Sequence, residues 1–192
     1  MVVRGQDIIL RAKEVLASYS PTCLDNSEAV PAAVLVPLYM KGGEAYVLLT
    51  ERTQHVEHHK GQISFPGGAQ DPEDPDLLTT ALRESYEETG IRPEDVEVIG
   101  QLDDILTITN FLVRPYVGVI HSYAGYPFAP NPREVATLLE VPVSHLLDGR
   151  HMELELRQWH GVPVLVPAFL WGNYRIWGAT ARILKQLLDL LR

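Results

Sequence analysis

The sequence predicts an α+β protein, an α/β/α sandwich in which a mixed sheet is flanked by helices. Strand-like segments recur along the chain with a few helical ones between them. Short glycine turns join neighbouring strands as hairpins, which gives the sheet antiparallel pairs. No linker-like stretch divides the 192 residues, so 1–192 reads as one domain, with an N-terminal helix at about 6–19.

Each element has its own signal. Gln6 to Tyr19 carries Ile8, Ile9, Ala12, Val15 and Leu16 at helical spacing. Ala32–Tyr39 has the pattern of a buried strand, Lys41-Gly42-Gly43-Glu44 is a turn, and Ala45–Thr50 is a second strand. Glu51 to Pro66 reads as a long polar loop ending at Gly67-Gly68, and long loops in compact domains are often functional. Pro72 and Pro75 punctuate an acidic turn. A helix then starts near Asp76, which can cap it, and stops at Gly90, with Pro93 blocking continuation. Further strands are expected near Val96–Leu102, Phe111–His121, Glu134–Val141, Met152–Arg157 and Val164–Leu170. A short helix is expected at Ser144–Leu147, and a last one at Ala179–Leu191.

The composition excludes several functions. Hydrophobic residues make up 46%, ordinary for a globular protein, and no run reaches the ~20 apolar residues of a membrane span. The charges in the first 17 residues break up any signal-peptide core. Cys23 is alone and cannot form an internal bridge, so a reducing, cytoplasmic location is expected. A net charge of −9 argues against nucleic acid polymers and anionic membranes. Residues 71–104 hold 12 acids against Arg83 and Arg92, a net of −10, so the rest of the chain is near +1.

Within that window the 76–90 helix places Glu84, Glu87 and Glu88 in an arc of about 100°, with Leu78, Leu82, Ser85, Tyr86 and Thr89 on the other side. Three carboxylates on one face repel, and near the helix C-terminus the dipole disfavours them. A solvated face is the plain alternative. A hard divalent cation, Mg²⁺ or Mn²⁺, is the neutralising partner that carboxylate oxygens suit.

Arg83-Glu84-x-x-Glu87-Glu88-x-Gly90-Ile91 resembles the second half of the Nudix box, G-x5-E-x7-R-E-U-x-E-E-x-G-U with U bulky and apolar. Ser85 stands at an apolar position, and Asp74 or Glu73 replaces the first Glu, with eight residues between Asp74 and Arg83. Leu48-Leu49-Thr50-x-Arg52, His59-x-Gly61 and Gly61-x-x-x-Phe65-Pro66-Gly67-Gly68 are similar to the extra signature of coenzyme A pyrophosphatases, a Nudix subgroup. So is the C-terminal Ile176-Trp177-Gly178-Ala179-Thr180-Ala181-Arg182 segment. Glu57 stands where that subgroup usually has Arg.

The resemblance implies a Nudix fold and hydrolysis of a diphosphate bond dependent on Mg²⁺ or Mn²⁺. Its implied substrate is coenzyme A, cleaved to 3′,5′-ADP and 4′-phosphopantetheine. ADP-ribose, dinucleotides or nucleotide triphosphates are the alternative, motivated by Glu57, and a nucleotide-sensing module without catalysis is a further one. Glu84, Glu87 and Glu88, with the Gly68 carbonyl, are the expected metal ligands. Arg83 is expected to orient carboxylates, with an ordinary surface pair as the alternative.

Glu134 is a candidate for the base that activates water, with Asp103 and Asp104 behind it. Arg52, His58, His59 and Lys60 offer positive charge to phosphates, Arg52 foremost because a guanidinium forks onto phosphate oxygens. Phe65 and Gly67 complete the substrate-binding candidates, with packing as the alternative for Phe65. His55-x-x-His58-His59 finds no further zinc ligand, and Cys23 has no basic neighbour to activate it. The expected partner is a small-molecule diphosphate, coenzyme A-like or nucleotide, and a homodimer is left open.

Overall fold

The computed structural model describes residues 5–53, 61–121, 125–159 and 161–192. In chain order the described elements are α1 (Gly5–Ser18), β1 (Val30–Lys41), β2 (Glu44–Arg52), β3 (Ile63–Ser64), β4 (Gly67–Ala69), α2 (Leu77–Thr89), β5 (Val96–Gln101), β6 (Ile105–Leu106), β7 (Phe111–Ile120), β8 (Val135–Pro142), α3 (Val143–Leu147), β9 (Met152–Trp159), β10 (Val162–Trp171), β11 (Tyr174–Ile176) and α4 (Gly178–Leu191).

β1 is the central strand. It pairs antiparallel with β2 through a two-residue turn in which Gly42 and Gly43 both have positive φ, the conformation tight hairpins need. Along the rest of its length it pairs antiparallel with β4 and parallel with β7, over ten residue pairs from Val30↔Phe111 to Tyr39↔Ile120. β8 joins β2, β3 pairs the far end of β2, and β5 and β6 pair β7. The sheet is therefore mixed. A second sheet, in the order β11-β10-β9, stands apart.

Both faces of β1 are covered, which is why its sequence is almost continuously apolar instead of alternating. Val36 and Leu38 enter one core with Ile8, Ala12 and Leu16 of α1 and Ile183, Leu184, Leu187 and Leu188 of α4. Leu35 and Tyr39 enter the other with Leu48, Ile91 and Ile120, against Leu82 of α2. This is the expected α/β/α sandwich.

Two expectations are corrected. The segment 51–66 is not all loop: β2 runs to Arg52, and Ile63 and Ser64 pair back on Glu51 and Thr50. A two-residue strand has no period of its own, so its polar neighbours mask it. Tyr86 is exposed, not packed, and the buried residues of α2 include Thr80, Ala81, Ser85, Glu88 and Thr89. The helix turns part of its carboxylate arc toward the sheet. His55, Glu57, His58, His59 and Lys60 lie outside the described residues.

Candidate active site

Local chemistry fixes both ends of α2. Asp76 Oδ1 accepts hydrogen bonds from the Thr79 amide at 2.7 Å and the Thr79 hydroxyl at 2.9 Å, capping the start. Gly90 ends the helix in the left-handed region at φ 75°, its amide donating to the Tyr86 carbonyl at 2.9 Å. Two terminal carbonyls find partners in the loop before β8: the Asn131 amide donates to Glu88 O at 2.9 Å, and the Ala129 amide to Thr89 O at 2.8 Å.

Ser85 is fully buried at a position where the family prefers an apolar residue. Its hydroxyl donates to the Ala81 carbonyl at 2.6 Å, so it enters the core with its polar atom satisfied. Thr89 does the same with the Ser85 carbonyl.

The glycine pair lets the sheet approach this helix. A Cβ on Gly68 would lie 2.6–2.8 Å from the carboxyl atoms of Glu84, so that carboxylate occupies the room a side chain would take. A Cβ on Gly67, at φ 152°, would lie 2.3 Å from the carbonyl oxygen of Ala33 on β1. Only backbone fits between β1 and α2 at these two positions.

Glu88 is the most enclosed of the three glutamates, its side chain 2% exposed. Oε1 accepts from Arg52 Nη1 at 3.2 Å and Oε2 from the Gly67 amide at 3.2 Å. Burial pushes its pKa up to about 7. Arg52 and the Gly67 amide oppose that shift, and the nearby charges of Glu84 and Glu134 add to it. Glu84 is raised for the same leading reason, burial, with Arg83 opposing and Glu87 and Glu134 adding. Glu134 is thus near enough for its charge to act on both helical carboxylates. It is held from behind: its carbonyl accepts from the Thr53 amide at 2.8 Å, and Asn131 Nδ2 approaches its Oε1 at 3.4 Å. Glu87 points outward, 52% exposed.

Arg83 faces its own helix. Nε and Nη2 fork onto Asp74 at 3.0 and 2.9 Å, while Nη1 reaches Glu84 at 2.9 Å and Glu87 at 3.3 Å. The structure therefore selects Asp74, not Glu73, as the acid in the first position. Asp74 is buried and also accepts from the Thr80 hydroxyl and the Asp71 amide. The Arg83 guanidinium, aided by these two donors, holds its carboxyl well below the usual range.

Asp74→Asn is expected to cost about 2 kcal/mol in chemical denaturation. It should also lower kcat by about 10- to 100-fold, because Arg83 loses the anchor that sets Glu84. The folded pKa of Asp74 is depressed. Its stabilisation is therefore complete above the ordinary value of 3.8 and lost as pH falls below it. Acid titration of stability should show a larger loss in the wild type than in Asp74→Asn, which keeps only the loss from the other ion-paired carboxylates.

Arg52 reaches Glu88 from β2, and its buried Nε has no hydrogen-bond partner among the described residues. Phe65 is 1% exposed and belongs to the α1–α4 core, so its ring presents no face to a ligand. Asp103 and Asp104 are engaged elsewhere. Asp103 accepts from Tyr19 and Thr22, and Asp104 pairs with Arg114 at 2.7 Å and accepts from the Leu24 amide. Both fasten the segment after α1. Thr53 and Asn131 went unnoticed in the sequence. Asn131-Pro132 carries a turn signal, but nothing local tells that the turn docks on the end of α2. Among the described residues no group of three or more His, Cys, Asp and Glu side chains converges as a metal cage.

A glutamate-bearing helix under a Gly-Gly strand, at the face of a mixed sheet between helices, defines a class already, and sequence comparison gives the same class. A family model described as NUDIX domain matches residues 29–165. "Uncharacterized Nudix hydrolase NudL" of Enterobacter sp. (strain 638) is 40% identical over 158 residues, covering 81% of this chain and 80% of that protein. The protein of the same printed name from Yersinia pestis (strain Pestoides F) is 39% identical over 157 residues, covering 81% and 77%. The chain belongs to the Nudix hydrolase family. Among solved structures, the NUDIX domain of Shewanella oneidensis NrtR complexed with ADP ribose superposes with a TM-score of 0.57 at 18% identity, over 93% of this chain and 97% of that one. A C. elegans Ap4A hydrolase binary complex gives 0.51 at 18% identity, over 60% and 83%. At these identities the two structures speak for the fold.

Proposed function

We propose that this chain is a divalent-metal-dependent pyrophosphohydrolase whose substrate is coenzyme A, cleaved to 3′,5′-ADP and 4′-phosphopantetheine. The observation that carries the hydrolytic reading is the pair of mutually repelling carboxylates on one helix face, Glu88 buried and Glu84 half-buried, with Glu134 adding its charge and Arg52 reaching Glu88. The coenzyme A assignment is supported by the Arg52 and Phe65-Pro66-Gly67-Gly68 signatures.

Carboxylates whose burial works against their charge are what a cation relieves, so the donor set fits Mg²⁺ or Mn²⁺. Glu84, Glu88 and the Gly68 carbonyl would hold it, with Glu87 turning in from the surface. Such an ion, when bound, neutralises phosphoryl oxygens and lowers the pKa of water. Glu134 accepts the proton of the water that attacks phosphorus, as the anhydride P–O bond breaks and its electron pair leaves with the departing phosphate. Arg52 keeps Glu88 in place through Nη1, and the outer edge of its guanidinium is the phosphate partner in this reading. Arg83 holds Glu84 and Glu87 by their carboxylates. His59 and Lys60 are the further phosphate partners in this reading, and Gly67 holds Glu88 through its amide. The protein acts in the cytoplasm on a small molecule. Both α1 and α4 enter one shared core, which supports 1–192 as one domain.

The test is kcat/KM for coenzyme A, ADP-ribose, dinucleoside polyphosphates and nucleotide triphosphates, each with Mg²⁺ and with Mn²⁺. Coenzyme A should lead by at least about tenfold, the effect of one well-placed contact worth ~1.4 kcal/mol. If another diphosphate leads, the coenzyme A assignment fails while the hydrolase reading stands.

A further inference from the structure

The second sheet ends in an edge that natural sheets ordinarily protect. Among the described residues β9 pairs only with β10, in unbroken antiparallel register from Met152↔Phe169 to Trp159↔Val162. The eight residues of β9, Met152-Glu153-Leu154-Glu155-Leu156-Arg157-Gln158-Trp159, contain no proline, no lysine and no bulge, three of the devices that block further pairing, and their charges are of both signs. One face of the hairpin is apolar and open: Leu154 is 52%, Leu156 67% and Leu165 63% exposed, and Leu156 stands directly opposite Leu165. The other face carries balanced charges around the β10 valines, with Glu153, Glu155 and Arg157 of β9 joined by Arg175, which reaches across β10 to both glutamates.

We infer that this edge is a self-association surface, on which β9 of a second copy adds antiparallel about a two-fold axis at Leu156. The strand's own charge pattern selects the occupant and the register. With Leu156 on the axis, Glu155 of each copy lies opposite Arg157 of the other, and Gln158 lies opposite Leu154. A row of leucines then runs Leu165, Leu156, Leu156, Leu165 across four adjacent strands. Shifting the axis to Glu155 would set two glutamates face to face, which cross-strand pairing disfavours. A C2 contact needs a self-complementary patch, and an alternating Glu-Leu-Arg strand centred on leucine is one. The joined sheet has six strands and closes both exposed edges at once.

Sedimentation velocity on the full chain tests this, at concentrations from roughly 1 to 100 µM, which bracket ordinary dissociation constants. The wild type should dimerise, and Leu156→Lys should be monomeric throughout. Arg157→Glu alone and Glu155→Arg alone should each weaken association by about tenfold or more, since each sets like charges opposite on both sides of the axis. An equimolar mixture of Arg157→Glu and Glu155→Arg should restore a dimer, because the mixed pair brings opposite charges together again. Circular dichroism of each variant checks that its fold is retained. A monomeric wild type overturns the inference. So does a folded Leu156→Lys that still dimerises, or a mixture that stays monomeric.

Discussion

Glu88→Gln should abolish nearly all turnover, lowering kcat by about 10³-fold or more, as loss of a group that positions charge at a reacting phosphate does. The substitution keeps shape and volume, but the amide oxygen can accept from only one of Arg52 and the Gly67 amide, and its NH2 then faces the other donor. The same carboxyl also makes stability depend on pH in metal-free protein. The folded pKa of Glu88 is raised by burial from 4.5 to about 7. A raised carboxyl stabilises the fold fully below 4.5, and that contribution is lost as pH rises through 7. The wild type, in chelator, should therefore lose Tm between these values, while Glu88→Gln loses less across the same window, the remainder coming from Glu84, whose carboxyl is also raised by burial. Wild-type turnover in the variant would sink the assignment of this helix as the catalytic element. An unchanged pH profile of Tm would sink the account of the buried charge.

Gly67→Ala should be the most destabilising single methyl in the chain's functional region, costing about 3 kcal/mol or more. The added Cβ would meet the Ala33 carbonyl oxygen at 2.3 Å and the Val34 Cα at 2.6 Å. Both belong to the backbone of β1, the central strand, which is paired on either side and cannot yield. A loss of that size lowers Tm by roughly 6–12 °C in a protein of this length. Gly42→Ala is the control. Gly42 also has positive φ, but a Cβ there meets nothing within 4 Å, so the cost should stay near 1 kcal/mol. Calorimetry of the two variants separates collision from conformational preference. Equal melting of both would show that β1 shifts to admit the methyl.

These two residues also mark how far the sequence could be read. The ends of α2 were legible because Asp76 and Gly90 act on their own neighbours. The strands with a full alternating or continuous apolar pattern were legible too, since β1, β2 and β7 carry their burial in their composition. β3 and β4 were not, because strands of two and three residues exist only through the partners they meet. The carboxylate arc was visible as geometry on a helix, but its orientation was not. The helical wheel put Tyr86 inside, whereas the close approach of Gly67-Gly68 draws Glu84 and Glu88 toward the sheet. Phe65 could be recognised as part of a signature without any sign that its ring faces the α1–α4 core. The docking of the Asn131 turn on the end of α2 depends on two segments more than 40 positions apart, beyond any local pattern.

The parallel ladder between β1 and β7 has a consequence in time. It joins segments about 80 positions apart in the chain, with the whole of α2 and β5 between them. Closing so long a loop costs entropy before any pairing rewards it, which makes folding slower than in a helical protein whose contacts are local. During synthesis β1 must wait until Phe111–Ile120 has left the ribosome before its longest partner exists. Glu134 follows β7 in the chain, so the group of carboxylates is completed late, after α2 has already left the ribosome.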